Sequence, residues 1–365
     1  MIPITGRQLT LPEGPIFNLQ RADHSDHVIG QFRSWAGYKN LGADGATDGL
    51  VHFQHVLSFA GSDTAGRTGI HAHFAHAHIV IPTSGRGVFS YDGVVTDAEP
   101  GCIIVQHGGT IHDQFEYTYV AASDAENRKT SLTVEPSTAV RQSSFGFLEF
   151  FVPLKFANVE IIPPNEVTEA DQRTAWNHPY HAEGANFHIQ HANSPAASYN
   201  PVVGREDLEA RDGQTLEPTG GLVATWIIRP ASTSKTRPKN LPIDLGIFKE
   251  RGAIDVLYMV NGSAEFARSD GQRIILNAGD TLTYSQGLVG APFGYSNEMR
   301  LIRFSVAAKA ALLRERTQEE IKRLQDLGPR IITHKKGSAD RRRPPCQFFA
   351  GRSHYVALLI RSVAG

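Results

Sequence analysis

GIHAHFAHAHIVIPTSG (69–85), followed by PGCIIVQHGGTIHDQ (100–114), is the part of this chain from which the rest can be read. Six of the 16 histidines fall here: His71, His73, His76, His78, His107 and His112. Successive side chains of a strand alternate between faces, so His71 and His73 share one face. His76 and His78 form a second such pair. The step from His73 to His76 changes parity, and a bulge or bend there would return the second pair to the first pair's face. One pair offers two ligands, and His78 and His112 are best placed to add a third and fourth. The expected metal ligands are therefore His71, His73, His78 and His112. His76 is a candidate acid–base group lining the pocket, and His107 a turn or rim residue. Burying several imidazoles without an ion would strand polar nitrogens at a cost of roughly 1–3 kcal/mol each.

Outward from this stretch, short apolar runs alternate with Gly- and Pro-containing turns, the pattern of an all-β protein. Strands are expected at 50–60, 72–82, 86–91, 102–106, 114–120 and 145–152, then at 221–229, 242–250, 255–260, 263–268, 272–276, 281–285 and 299–306. Residues 161–182 hold several prolines and read as a connector. Residues 307–326 (AAKAALLRERTQEEIKRLQD) read as an amphipathic helix stopped by Gly328 and Pro329.

A chain of 365 residues makes two domains the natural expectation. The net charge of −1 gives no basic excess to attract a nucleic acid or an anionic membrane. Neither a signal peptide nor an apolar run of membrane-spanning length is evident, so a cytoplasmic protein is expected. Two cysteines, Cys102 and Cys346, make no disulfide framework, and Cys102 in its apolar run reads as a buried thiol.

The histidine spacing resembles the cupin superfamily. His71-Ala-His73, four residues, His78, six residues and Gly85 match that family's first motif, with His78 where the family usually has Glu. Gly101, His107-Gly108-Gly109 and His112 match the second motif, and Glu116 stands in place of its later Asn. The same spacing applied around Gly262 places Phe248, Glu250 and Asp255 at the ligand positions of a second copy. Gly279, Asp280, Gly287 and Gly290 follow at its second motif. That copy has no histidine among its ligands; Glu250 and Asp255 could hold an ion only weakly. The resemblance implies two jelly-roll-like β-barrels: an N-terminal barrel at 1–160 with the metal site, the connector 161–182, a C-terminal barrel at 183–306 and a helix and tail at 307–365.

Imidazole ligands suit Fe, Ni, Cu or Zn better than Mg²⁺ or Ca²⁺. Gentisate- and hydroxynaphthoate-type ring-cleaving dioxygenases are similar in the paired histidines, in the turn Gly85 to Gly93 and in His112-Asp113. That resemblance implies Fe(II), with Mn, Ni, Cu or Zn as alternatives. It implies O₂ and a hydroxylated aromatic substrate, with or without a carboxylate, and a homo-oligomer. Arg67 or Arg86 would pair with a substrate carboxylate, and Gln106 and Gln114 would donate to oxygen. Two other classes remain open. A metal-dependent isomerase, lyase or decarboxylase would use Zn, Mn or Ni as a Lewis acid, with His76 moving the proton. A cupin-like barrel can also bind a small molecule without turning it over.

Overall fold

The computed structural model describes residues 12–29, 31, 33, 35–59, 67–118, 143–153, 158–177, 187–232, 253–313, 319, 322 and 330–331. The described chain is predominantly β-sheet. Its first half runs β1 (Phe17–Gln20), β2 (Val28–Ile29), β3 (Ala36–Asn40), helix α1 (Ala43–Ala46), β4 (His52–Phe59), β5 (Ile70–His73), β6 (Ala77–Ser84), β7 (Arg86–Tyr91), β8 (Val94–Ala98), β9 (Ile103–Gln106), β10 (Ile111–Thr118), β11 (Ser143–Val152) and β12 (Asn158–Ile162). Helix α2 (Glu169–Gln172) and β13 (Trp176–Asn177) lead into β14 (Phe187–Gln190), β15 (Asn200–Val202), β16 (Arg205–Asp212), β17 (Val223–Pro230), β18 (Ile254–Asn261), β19 (Ser263–Arg268), β20 (Arg273–Asn277), β21 (Thr281–Ser285), β22 (Val289–Tyr295), β23 (Arg300–Val306) and β24 (Arg330–Ile331). No helix among the described residues is long and apolar enough to cross a membrane.

Two sheets build the first half. One has the order β12-β5-β10-β7-β8, the other β14-β9-β6-β11-β4-β3-β2. They face each other across a cluster that joins Phe89, Tyr91 and Ala98 of the first sheet to Val56, Val80, Ile104, Phe145 and Phe147 of the second. The second half repeats the arrangement: β1-β21-β18-β23-β17-β16-β15 faces β20-β19-β22 across an apolar interior that includes Leu257, Met259, Phe266, Leu276 and Leu282. The two seven-stranded sheets then pack back to back. Phe150 stacks on Phe304 at 4.3 Å between ring centroids, and Phe53 lies 5.3 Å from Phe304 and 5.8 Å from Tyr258. This is why β11, SSFGFLEFFV, is apolar on both faces. Leu148, Phe150 and Val152 meet the other half, whereas Phe145 and Phe147 look into their own half's interior.

Sheet membership crosses the expected division of the chain in both directions. β1 pairs with β21, Phe17 opposite Tyr284, so the first described strand completes a sheet of the second half. β14 pairs with β9, Phe187 opposite Gln106, and extends a sheet of the first. The segment expected as a plain connector holds the end of β12, α2 and β13. The amphipathic helix expected over 307–326 starts as a 3₁₀ turn, Ala308–Leu312; residues 314–318, 320–321 and 323–326 lie outside the described residues, as does the strand expected at 242–250.

The single strand expected at 72–82 is two strands in different sheets. β5 ends at His73 and β6 begins at Ala77. Residues 74–76 cross between them under tight restraint. The His76 backbone N–H donates to the Val152 carbonyl at 2.8 Å, and the Gly109 N–H to the His73 carbonyl at 2.8 Å. Gly108 passes so close that a Cβ there would stand 2.7 Å from the Ala75 carbonyl oxygen, which only glycine tolerates.

Candidate metal centre

β5 and β10 run antiparallel with His71 directly opposite His112. Their rings lie 4.2 Å apart between centroids, and His73 is 4.9 Å from His71 and 5.0 Å from His112. One ring nitrogen from each of His71, His73 and His112 lies within 4.8 Å of the others. Three nitrogens bound at about 2.1 Å to one ion stand about 3.0–3.6 Å apart, so closing on an ion draws the rings together by up to about an ångström or slightly more.

Each of the three rings has its Nδ1 engaged outside the cluster. His71 Nδ1 lies 2.7 Å from the Gly69 carbonyl oxygen and His112 Nδ1 3.0 Å from that of Thr110. His73 Nδ1 bonds the side-chain oxygen of Asn158 on β12. A carbonyl oxygen can only accept, so each Nδ1 carries the proton and Nε2 keeps its lone pair. Gly69 adopts φ +75°, and a Cβ there would meet the Ile162 carbonyl oxygen at 2.8 Å. This close turn aims its carbonyl at His71. Burial holds the imidazoles neutral: His71 is lowered to about 4, and His73 and His112 fall well below the ordinary histidine value. Neutral, tautomer-locked imidazoles that share one point fit a divalent transition metal.

The opposite wall comes from the seven-stranded sheet. His78 on β6 stands opposite Phe151 of β11 and Gln106 of β9. Its ring stacks on Phe151 at 4.0 Å and lies 5.0 Å from His73 and 6.4 Å from His112. His78 is thus beside the triad rather than within the mutually close group. Its Nε2 is 3.5 Å from Glu149 Oε1, and Gln54 Nε2 donates to Glu149 Oε2 at 2.6 Å. Sequence reasoning missed Glu149. The available signal was the alternation Phe145, Phe147, Glu149, Phe151, which puts one acid on an otherwise aromatic face.

Among the described residues, five buried polar atoms on this side make no hydrogen bond: both ring nitrogens of His78, whose Nε2 has only the longer approach of Glu149, together with Tyr91 Oη, Gln106 Oε1 and Gln114 Nε2. All four side chains share the triad's side. Gln106 is the cross-strand neighbour of His78, Tyr91 that of His112, and Gln114 follows His112 by two on the same strand. Unsatisfied groups of this kind cost about 1–3 kcal/mol each, a cost that polar atoms bound beside them would offset.

Other expected site residues lie elsewhere. His76 is exposed on the β5–β6 connection, turned out by the crossing between sheets. The Arg67 guanidinium donates to the Val167 carbonyl at 3.1 Å. Arg86 sits exposed on β7 and pairs with Asp97 of β8. His107 is half-buried in the turn that closes with Thr110 N–H on its carbonyl. Asp113 points away from the cluster and accepts from Gln172 at 3.1 Å and Thr68 at 3.2 Å, so it anchors β10 to α2. Cys102 is buried, with burial pushing its thiol up.

In the second half, Asp255 is not available to an ion. Arg303 donates to both its oxygens, at 3.2 and 2.9 Å, and Ser305 donates to Oδ1. Phe248 and Glu250 lie outside the described residues.

No family model matches this chain, and no curated protein matches it. Among solved structures it is similar to protein Ylba from E. coli, at 11% identity over 83% of this chain and 95% of that one, with a TM-score of 0.48. It is similar to a putative glyoxylate induced protein from Pseudomonas aeruginosa, at 9% identity over 82% and 91%, with a TM-score of 0.47. It is also similar to an oxalate decarboxylase, at 11% identity over 81% and 79%, with a TM-score of 0.46.

Proposed function

We propose that this chain is a metal-dependent enzyme built from two cupin-type β-barrels, with one divalent ion held by His71, His73 and His112 in the first and a purely structural second. The observation that carries the reading is the shared approach of three imidazoles whose Nδ1 atoms are all spoken for. The nitrogen set suits Fe, Mn, Ni, Cu or Zn. A divalent ion held there would act as a Lewis acid towards a carbonyl or hydroxyl oxygen of a small substrate.

The chain's own groups then favour proton-transfer chemistry, of the lyase, isomerase or decarboxylase kind. The His78–Glu149 pair is placed to take or return a proton at His78 Nε2. Gln54 keeps the carboxylate turned towards that nitrogen. Gln114 Nε2 offers a donor to a substrate oxygen, and Gln106 Oε1 an acceptor. Both sheets exclude bulk water: His78, Gln106, Tyr91 and Gln114 are all buried. His78 replaces His76 as the proton-moving histidine of this mechanism.

The aromatic walls favour a second reading, an Fe(II) ring-cleaving dioxygenase. Tyr91 stacks over His112 at 5.9 Å and Phe151 over His78 at 4.0 Å, surfaces that suit a planar hydroxylated ring. The test is metal analysis of protein purified without air, followed by two screens. Zinc, manganese or nickel with substrate C–H exchange or loss of CO₂ supports proton-transfer chemistry. Iron with substrate-dependent O₂ uptake moves the assignment to the dioxygenase. A triad that binds no metal ends both, and metal without turnover of any substrate leaves a binding protein.

A further inference from the structure

We propose that Arg33 is the anion-recognising residue of this site, its guanidinium taking a carboxylate of a small ligand whose other end reaches the ion at the triad. The proposal takes the ion's place from the reading above, but the guanidinium and its setting belong to the chain alone.

The first observation is where Arg33 stands. β12 is the edge strand of its sheet, and in its ladder with β5 Glu160 lies opposite His71 and Asn158 opposite His73. Residues opposite each other share a face, so Glu160 projects on the side of the triad. The Arg33 guanidinium comes from the segment between β2 and β3, at the edge of the facing sheet, and stands 3.6 Å from Glu160 Oε2. Its charge reaches His71 and His73, where it disfavours the imidazolium. The second observation is that this segment is held in place. The Arg33 carbonyl accepts from Ala36 N–H at 3.1 Å, and the Trp35 indole N–H donates to the Arg67 carbonyl at 3.1 Å, just ahead of β5. The third is the carboxylate already facing the fork. Glu160 stands in front of it, yet 3.6 Å is too long for a hydrogen bond, so the pair is loose and an incoming carboxylate can replace it. Both side chains reach solvent, Arg33 at 24% and Glu160 at 56% exposure. The fourth is charge. Three neutral imidazoles leave a divalent ion its full charge, and a permanent cation near it is repelled unless an anion joins the two. A carboxylate meets the planar fork through two parallel N–H bonds.

The probes are malonate and its neutral diamide, malonamide, titrated calorimetrically into zinc-loaded and zinc-free full-length protein. Malonate is expected to bind the zinc-loaded protein at least about tenfold more tightly than malonamide. Arg33→Gln should weaken malonate about tenfold in that form and about threefold without zinc, leaving malonamide unchanged. Arg33→Lys, which keeps the charge but not the fork, should recover part of the loss. Glu160→Gln should tighten malonate about threefold by removing the competing carboxylate. Arg86→Gln, a charge change on an exposed strand, should alter neither affinity. Near-ultraviolet circular dichroism confirms the fold of each variant. If the Arg33 variants do not fold, Glu160→Gln carries the test, and an unchanged malonate affinity in it overturns the proposal. So does malonate binding no more tightly than malonamide to the unaltered protein, or failing to bind either form at millimolar concentration. Equal malonate affinity in Arg33→Gln and the unaltered protein overturns it as well. Zinc binding is read in the same titrations. If zinc does not bind at the triad, the enzymatic reading fails, while the effect of Arg33→Gln on malonate in the zinc-free protein still decides this one.

Discussion

His71 and His112 face each other across the β5–β10 ladder, with ring centroids 4.2 Å apart and each Nδ1 tied to the backbone carbonyl two residues before its own position. The local chain therefore sets the tautomer, and each ring presents Nε2. Replacing His112 or His73 by alanine removes one of three nitrogens from a site with no spare ligand in its close group. Zinc affinity measured by calorimetry should fall more than about 100-fold in either variant, with far-ultraviolet circular dichroism unchanged.

Asn158 is the weaker and more informative case. Its side-chain oxygen bonds His73 Nδ1, and it lies on β12, the edge strand beside β5. Asn158→Ala frees the ring to turn and to change tautomer. The expected loss of metal affinity is about 10- to 100-fold. Asn158→Asp, which keeps an acceptor for the Nδ1 proton, should recover most of it.

The histidine spacing made the triad legible because a strand's period of two is a local property. Which sheet each strand joins is not local. Residues 72–82 read as one run, since nothing in AHFAHAH reveals that the chain crosses between sheets at residues 74–76. That crossing turns His76 outward and carries His78 to the opposite wall. Glu149 stayed hidden because its neighbours are aromatic, and an acid in FGFLEFFV gains meaning only when Gln54 and His78 are seen beside it. The exchange of β1 and β14 between the halves was equally out of reach, since pairing partners such as Phe17 and Tyr284 are far apart in sequence. The repeated glycine turns of the second half did report a second pair of facing sheets.

Acid should loosen the metal-free protein before it reaches the carboxylates. Burial holds His71 at about 4, His27 at about 4 and His55 at about 3, whereas in the unfolded chain each titrates near 6.5. Between these values the unfolded state binds more protons, so stability rises with pH across that window. The contribution is complete above about 6.5 and is lost as pH falls towards 4 and below. Urea midpoints from pH 7.5 to 4.5 should therefore decline steadily. A saturating divalent metal should steepen the decline, because proton and metal compete for the same Nε2 atoms.

The join between the halves gives a stability prediction free of the metal. Phe304 is fully buried and stacks on Phe150 while touching Phe53. Phe304→Ala leaves a cavity between the two seven-stranded sheets and should cost about 3–5 kcal/mol. The melting temperature should drop clearly, with zinc affinity per folded molecule retained.

Asp255 and Arg303 separate a structural ion pair from a second metal site. Asp255 is 1% exposed, and its oxygens are taken by Arg303 and Ser305, so an ion would have to displace a fixed guanidinium. Asp255→Ala leaves Arg303 largely buried without its counter-charge, at an expected cost of about 3–5 kcal/mol. If the carboxylate serves only this pair, the variant should melt earlier yet bind metal in the same molar ratio and with the same affinity as the unaltered protein. A drop in bound metal per chain, with the triad intact, would show instead that Asp255 is a ligand and that the second half carries an ion of its own.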